Sequence, residues 1–239
     1  MLVLVGGLGL AAAAGAAPCV ARSGQHTAAL VELYTAQRCS GCLHAERWLS
    51  ALARRAAGEV VPLALLVDYA DYLGGEGSAA EGRLVRRERR LVPLQRTALV
   101  YTPQVLLQGR DFPAWRDADI DAALTRVAAS PARARLKIEI ASAGWDGLAV
   151  RVDAAVLDPA QRRDAVLYVA AVSRRKGEAP VALEWQGPLV PGADGRLSEA
   201  RRLALVPGTA PGSSGAAAFV QNRRTADVLQ ALLLAACSP

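Results

Sequence analysis

Two long apolar runs flank a helical pattern near the start of the chain, and their order limits the folds available to it. Residues 27–35, TAALVELYT, and residues 60–68, VVPLALLVD, are rich in aliphatic side chains and predict buried strands. Between them, apolar residues recur at helical spacing over 39–57, and Gly58 predicts the end of that helix. Because strands joined by a helix usually run parallel, this stretch predicts a βαβ unit.

The next segments continue the α/β pattern. The sequence predicts an arginine-rich helix over 81–100 with a break at Pro93, and a short strand over 102–110. It also predicts a helix over 117–130, whose first turn carries acidic residues where the helix dipole favours them. Residues 26–131 are therefore predicted to form one α/β domain.

From Leu136 onward the chain consists of short alternating runs separated by Gly, Asp and Pro turns. The segment SAGWDG, residues 142–147, predicts a hairpin connection. This pattern of short alternating runs predicts an all-β, sandwich-like C-terminal domain over 134–237. Its last run, TADVLQALLLAAC at 225–237, fits a strand or a helix equally well.

The first 17 residues are uncharged and apolar, and they end in small side chains. This pattern is typical of a secretory signal peptide, so we expect a periplasmic or secreted protein. The alternative is a retained N-terminal hydrophobic segment that gives transient membrane association. Export would place the protein in an oxidising compartment, where cysteine pairs form disulfides.

The basic composition does not indicate a nucleic-acid partner. The net charge is +6, and only two of the 28 basic residues, Lys137 and Lys176, are lysine. The arginines are spread along the chain and aromatic residues make up only 5%, too few for an obvious base-stacking platform. The arginine content is typical of a GC-biased genome, and we expect no binding of nucleic acid.

The chemistry is expected at a CxxC motif, Cys39-Ser-Gly-Cys42. A closed zinc site usually has a second such pair or added histidines, and this chain offers only Cys19, Cys237 and two histidines; we therefore expect neither a metal nor another cofactor. At a helix start beside Arg38, the Cys39 thiol is expected to ionise readily. Cys42, one turn further along, is placed to attack a mixed disulfide on Cys39. Copper delivery through the two thiolates and a structural disulfide remain alternatives.

Four other residues are of interest because of their positions in the sequence. His44 is rotated by about 140° from Cys39 on an ideal helix, so it is expected to be a bystander. Glu32 interrupts the apolar strand before the CxxC motif; if buried, it would have a raised pKa and could pass protons to Cys42. Cys19 and Cys237 lie near the two ends of the chain and are predicted to form a second disulfide.

Three segments occur in a characteristic order: VELYTAQRCSGC, then VDYADYLG, then YTPQVLLQGR. In this respect the chain resembles a secreted thioredoxin-like family, domain of unknown function 1223. The resemblance implies a thioredoxin-like fold for the N-terminal domain, with Cys39 as attacking thiol and Cys42 as resolving thiol. It also implies a cis-proline at Pro103, with Thr102 offering its backbone to an extended substrate.

The sequence thus predicts an exported enzyme that exchanges disulfides with protein or peptide thiols through Cys39 and Cys42. Tyr69 and Tyr72 follow the second predicted strand, at the edge of the sheet where α/β sites gather, and could shape a substrate groove. A non-catalytic binding protein with a structural CxxC disulfide is the alternative from outside redox chemistry, alongside copper delivery.

Overall fold

The structure of the protein, a computed structural model, describes residues 19–37, 39–56, 58–67, 79–95, 99–117, 119–206 and 208–235. The predicted signal segment, residues 1–17, lies outside the described residues. Among the helices of the described part, none is long and apolar enough to cross a membrane.

Within these ranges the chain is a mixed α/β structure, mostly β-sheet with few helices. The N-terminal half contains the elements β1 (Cys19–Arg22), β2 (Ala29–Thr35), α1 (Cys42–Arg55), β3 (Val60–Leu66), α2 (Ala79–Leu91), β4 (Gln104–Leu107), β5 (Arg110–Asp111) and α3 (Ile120–Ala128). The C-terminal half contains β6 (Ala134–Gly144), β7 (Gly147–Val156), β8 (Ala165–Ser173), β9 (Val181–Leu189), β10 (Arg196–Leu203), β11 (Ser214–Asn222) and β12 (Val228–Ala235).

The predicted βαβ unit is present. β2 and β3 pair in parallel from Ala29 opposite Val60 to Thr35 opposite Leu66, and α1 connects them. All seven residues of β2 are buried, which explains the uninterrupted apolar run in the sequence. β4 pairs with the other edge of β2 in the antiparallel sense, so β2 lies inside the sheet.

α1 begins three residues later than predicted. The sequence placed Cys39 at the helix start, whereas Gly41 is the N-cap and Cys42 the first helical residue. A turn precedes the helix, because the amide of Cys39 donates to the Ala36 carbonyl and the amide of Cys42 donates to the Cys39 carbonyl. Cys39 is therefore ahead of the helix rather than in its first turn.

The predicted break at Pro93 is present, but the arginine-rich helix does not continue to residue 100 as predicted. α2 ends at Leu91, a 3-10 turn over Val92–Leu94 contains Pro93, and residues 99 and 100 have no regular secondary structure. β6 and β7 form the predicted hairpin, with Gly144 opposite Gly147. The undecided C-terminal run forms a strand, β12, which pairs with β11.

The two halves of the chain share one sheet. Its strand order is β12-β11-β8-β9-β3-β2-β4-β5, and the junction is a parallel pairing of Ala64 in β3 with Val181 in β9. A second sheet has the order β1-β6-β7-β10, so β1 pairs with β6 of the C-terminal half. The predicted domain boundary near residue 132 stays a prediction. Two strand pairings, β1 with β6 and β3 with β9, join residues on either side of it.

Three apolar cores follow from the alternation of side chains along these strands. One core lies between the large sheet and α2, and it contains Tyr34, Leu84 and Trp185. A second core fills the space between the two sheets, as in a sandwich, with Ile138 and Leu167 as members. The third core lies under α1 on the face of the large sheet opposite α2.

Candidate functional site

Cys39 and Cys42 are joined in a disulfide, with an S–S distance of 2.11 Å. The two residues differ in exposure: Cys39 is half-buried in the turn before α1, while Cys42 is 2% exposed in the first turn of the helix. Their exposure follows from the local structure, since Cys42 starts the buried face of α1 together with Ala45 and Leu49. A reagent in solution can therefore reach Cys39 more easily than Cys42.

Pro103 packs directly against the CxxC segment. The Thr102–Pro103 peptide bond is cis, as the family resemblance implies. A Cβ added to Gly41 would lie 3.3 Å from the Pro103 Cδ atom, so a larger residue would press on the proline ring. Thr102 and Pro103 are both half-buried and immediately precede β4. The structure thus brings together four of the predicted site residues: Cys39, Cys42, Thr102 and Pro103.

An arginine that the sequence reasoning missed also lies at this segment. A nitrogen of the exposed Arg116 guanidinium would be 3.5 Å from a Cβ on Gly41. The guanidinium stacks over the Trp115 ring at 4.8 Å from its centroid. No spacing in the sequence links Arg116 to Gly41, because the turn after β5 brings the two together only in the folded chain.

Aromatic contacts hold the start of α1 against this turn. Trp115 is buried, and its ring centroid lies 5.3 Å from that of Trp48 and 5.7 Å from that of His44. Since its ring packs on Trp115, His44 has a packing role here, in keeping with its expected status as a bystander. The contacts fix the helix start relative to the turn after β5.

Glu46 is a second residue that the sequence analysis overlooked. It lies four residues after Cys42 on α1, a spacing that puts the two side chains on the same helix face. The Thr35 hydroxyl donates a hydrogen bond of 2.5 Å to Glu46 Oε1. The i, i+4 spacing from Cys42 was the available signal. Glu46 is the carboxylate nearest to Cys42 in sequence on the same face of α1.

Glu32 is not placed for the proton transfer that the sequence suggested. Along β2, Val31 and Leu33 face the core under α1, whereas Leu30 and Tyr34 face the opposite core. Glu32 alternates with Leu30 and Tyr34, so its side chain points away from α1 and Cys42. The prediction of a catalytic Glu32 is therefore corrected: the apolar run correctly signalled burial, but the offset of one residue selects the other face.

Glu32 instead forms a buried ion pair with Arg87 of α2. The Arg87 guanidinium lies 2.9 Å from Glu32 Oε1 and donates to Glu32 Oε2, to the Tyr34 hydroxyl and to Gln221 Oε1. Burial raises the pKa of the Glu32 carboxyl, and the Arg87 charge offsets part of that rise. Burial also disfavours the charged guanidinium, but the attraction of Glu32 holds the pKa of Arg87 above its ordinary value. The charged form of each side chain is therefore stabilised by the charge of the other.

Several predicted residues cannot be placed. Arg38, Tyr69, Tyr72 and Cys237 lie outside the described residues, so their predicted roles stay predictions. Cys19 is not a free thiol, and its sulfur lies 3.5 Å from the carbonyl oxygen of Ala235, near the described end of the chain. Among the described residues, no group of three or more His, Cys, Asp or Glu side chains is arranged to hold a metal ion.

The family model described as Protein of unknown function (DUF1223) matches residues 30–183, more than half of the chain. The chain belongs to this DUF1223 family. No curated protein matches this family member. The matched range includes β2, α1, β4 and the CxxC motif.

Two solved structures resemble this DUF1223 protein in fold. HBP35 of Porphyromonas gingivalis matches with a TM-score of 0.65 at 12% identity, over 89% of this chain and 76% of its own. A protein of Agrobacterium tumefaciens matches with a TM-score of 0.53 at 21% identity, over 91% of this chain and 98% of its own. At such identities the likeness concerns the fold alone.

Proposed function

We propose that this DUF1223 protein is an exported thiol–disulfide oxidoreductase that exchanges disulfides with protein or peptide partners. One observation carries the proposal: an accessible Cys39 is joined to a buried Cys42 at the start of α1, with the cis Pro103 packed on the residue between them. Accessible, strained or exposed disulfides are the exchangeable ones, whereas structural disulfides are usually shielded from attack. Export follows from the uncharged apolar segment at residues 1–17 and agrees with the oxidised cysteine pair.

We further infer that the N-terminal half has a thioredoxin-like arrangement. The parallel β2–α1–β3 unit is followed by the antiparallel β4 and β5 and then by α3, and the cis-proline directly precedes β4. This order supports the inference, although β9 of the C-terminal half adds to the edge at β3. In this arrangement the exposed turn at Cys39 faces the loop of Thr102 and Pro103, where an extended peptide would add its backbone.

In the reductive direction, the Cys39 thiolate attacks one sulfur of the partner's disulfide. A mixed disulfide forms, and the first partner sulfur leaves as a thiolate that takes a proton from water. The Cys42 thiol then loses its proton through Glu46, directly or by way of water, and attacks the Cys39 sulfur. The second partner thiolate leaves, so the partner disulfide is reduced by two electrons while Cys39–Cys42 is oxidised. The oxidative direction reverses these steps.

A reductase assay tests this proposal. The protein, kept reduced by dithiothreitol, is mixed with insulin, and the reduction of the insulin disulfides is followed by turbidity. We expect clear acceleration over dithiothreitol alone, complete loss in Cys39→Ser and partial loss in Glu46→Gln. Glu199→Gln, a carboxylate on β10 in the other sheet, serves as the matched control. If insulin reduction is not accelerated while the reduced protein binds Cu(I) tightly, the proposal is wrong and copper delivery replaces it.

A further inference from the structure

A cleft on the α2 side of the large sheet is lined by an unusual number of arginines. It has a volume of about 520 Å³, within the range of small-molecule sites. Its lining includes Arg87 and Arg90 of α2, Arg163 before β8, and Arg223 and Arg224 after β11. The cleft is thus built by segments that are far apart in sequence.

The charges of this arginine cleft are only partly compensated by the protein, since Arg87 pairs with Glu32 but three of the other arginines have no counter-charge among the described residues. Asp164 is the acidic residue among the described lining residues, and it lies 3.5 Å from Arg223. The side chains of Arg90, Arg163 and Arg224 make no hydrogen bond or ion pair to a described residue. Like charges that lie close together without counter-charges repel each other. The clustering of these arginines therefore favours the binding of an anionic ligand.

The floor of the cleft is formed by a buried arginine, Arg87, that has one N–H donor without a hydrogen-bond partner in the described part of the chain. Arg87 is 1% exposed, and its two terminal nitrogens are occupied by Glu32, Tyr34 and Gln221. Its Nε has no hydrogen-bond partner. A buried donor without an acceptor is unfavourable, and the oxygen of a bound ligand would satisfy it.

Aromatic rings hold this floor in place. The Arg87 guanidinium lies 5.1 Å from the ring centroid of Tyr168 and 5.3 Å from that of Trp185. Tyr168 also lines the cleft. A guanidinium fixed by rings and by an ion pair is pre-organised, so little conformational entropy is lost when it meets an anion.

We propose that the arginine cleft binds a small ligand that carries two or more oxyanion groups, either phosphates or carboxylates. Guanidinium groups pair with phosphate and carboxylate oxygens through two parallel hydrogen bonds, and several arginines around one cavity suit a multiply charged anion. The cavity size favours a small molecule over a nucleic acid or a membrane surface. This site lies on the opposite face of the sheet from α1, and the proposal does not depend on the redox function.

Calorimetric titration with inorganic pyrophosphate and with citrate tests the proposal. We expect saturable 1:1 binding of at least one probe, and the identity of the tighter probe separates a phosphate ligand from a carboxylate ligand. In the double variant Arg90→Ser/Arg224→Ser, the dissociation constant should rise by about tenfold or more, because two charge-assisted contacts are lost. The insulin-reductase rate of the same variant should not change.

The matched control is Arg151→Ser/Arg175→Ser, which removes the same charge from exposed positions outside the cleft. Its dissociation constant should stay within about twofold of the unmodified protein, since Arg151 and Arg175 do not line the cavity. Equal weakening in both double variants would mean that only overall charge matters and would overturn the proposal. Absence of saturable binding by both probes, or saturable binding of a short RNA in their place, would also overturn it.

Discussion

At the residue scale, the redox proposal follows from the unequal exposure of Cys39 and Cys42. Cys39 precedes α1 and is half-buried, while Cys42 belongs to the buried face of the helix. In the proposed mechanism an incoming thiolate therefore meets Cys39 first, and Cys42 is shielded from solution. Glu46, not Glu32, shares the helix face of Cys42. The candidate for proton transfer to Cys42 is therefore Glu46 on α1 rather than Glu32 on β2.

The ion pair between Glu32 and Arg87 leads to a prediction on stability. Glu32→Gln and Arg87→Met are each expected to lower the free energy of unfolding by about 3–5 kcal/mol, because each leaves a buried charge without its partner. The double variant should lose clearly less than the two single losses together. Urea denaturation of all four proteins measures this coupling; additive losses would show that the two side chains do not act as a pair.

The same pair predicts a sign for the pH dependence. Because burial raises the pKa of Glu32 above its ordinary value of 4.5, the folded protein holds that proton to higher pH than the unfolded chain does. The stabilising effect of this bound proton is complete below that ordinary value and is lost as the pH rises through the raised pKa. The stability advantage of the unmodified protein over Glu32→Gln should therefore shrink as the pH rises above 4.5. An advantage that grows with pH would contradict the raised pKa.

At the scale of elements, the important contact is between the start of α1 and the loop before β4. Gly41 has φ −86° and ψ −13°, which any residue adopts, so its value lies in the space it leaves for Pro103 rather than in its backbone freedom. A Cβ at this position would press on Pro103 Cδ at 3.3 Å. The spacing of the two sulfurs from Pro103 therefore depends on a small residue at position 41.

Gly41→Ala should slow insulin reduction several-fold, because the proline ring or the CxxC turn has to shift by a few tenths of an ångström. The free energy of unfolding should change by no more than about 1 kcal/mol, since a small packing strain opposes the reduced freedom of the unfolded chain. Gly24→Ala, at a position with open space for the added carbon, is the control and should behave like the unmodified protein. An unchanged rate in Gly41→Ala would show that the contact has no part in turnover.

The elements themselves were largely predictable, and the reasons for the exceptions are physical. Apolar runs identified β2 and β3 because both are buried throughout, and Pro93 marked the end of α2. The start of α1 was misplaced because the sequence around Gly41 offers no side-chain cap. Contacts between distant segments could not be predicted: nothing local connects Arg116 with Gly41 or Arg87 with Glu32.

At the scale of the whole molecule, one sheet runs through both halves of the chain. The change of sequence pattern near residue 132 suggested two domains. Such a change carries no information on which strands pair, so the shared sheet could not be predicted from it. Gln230 of β12 reinforces the connection: it is fully buried, accepts from the Ala28 amide at 2.8 Å, and donates to the carbonyls of Gly24 and His26. The segment that leads into β2 is thus tied to the last strand.

Gln230→Leu should therefore destabilise the entire fold by about 1–3 kcal/mol, since the half-buried Ala28 amide and the carbonyls of Gly24 and His26 lose their side-chain partner. Because the halves share a sheet, tryptophan fluorescence and far-ultraviolet circular dichroism should still report one coincident unfolding transition. Gln25→Leu, at an exposed position in the same segment, is the control. Two separate transitions in the unmodified protein would contradict the view that the halves unfold together.

Covalent trapping of partners tests the central claim, the nucleophilic role of Cys39, most directly. A tagged Cys42→Ser variant, expressed in the native host and purified without reductant, should carry proteins or peptides in mixed disulfides that dithiothreitol releases. Because these adducts need the attacking sulfur, they should be missing from Cys39→Ser/Cys42→Ser. The account would be contradicted if Cys42→Ser carried no adducts, or if the double variant carried the same ones.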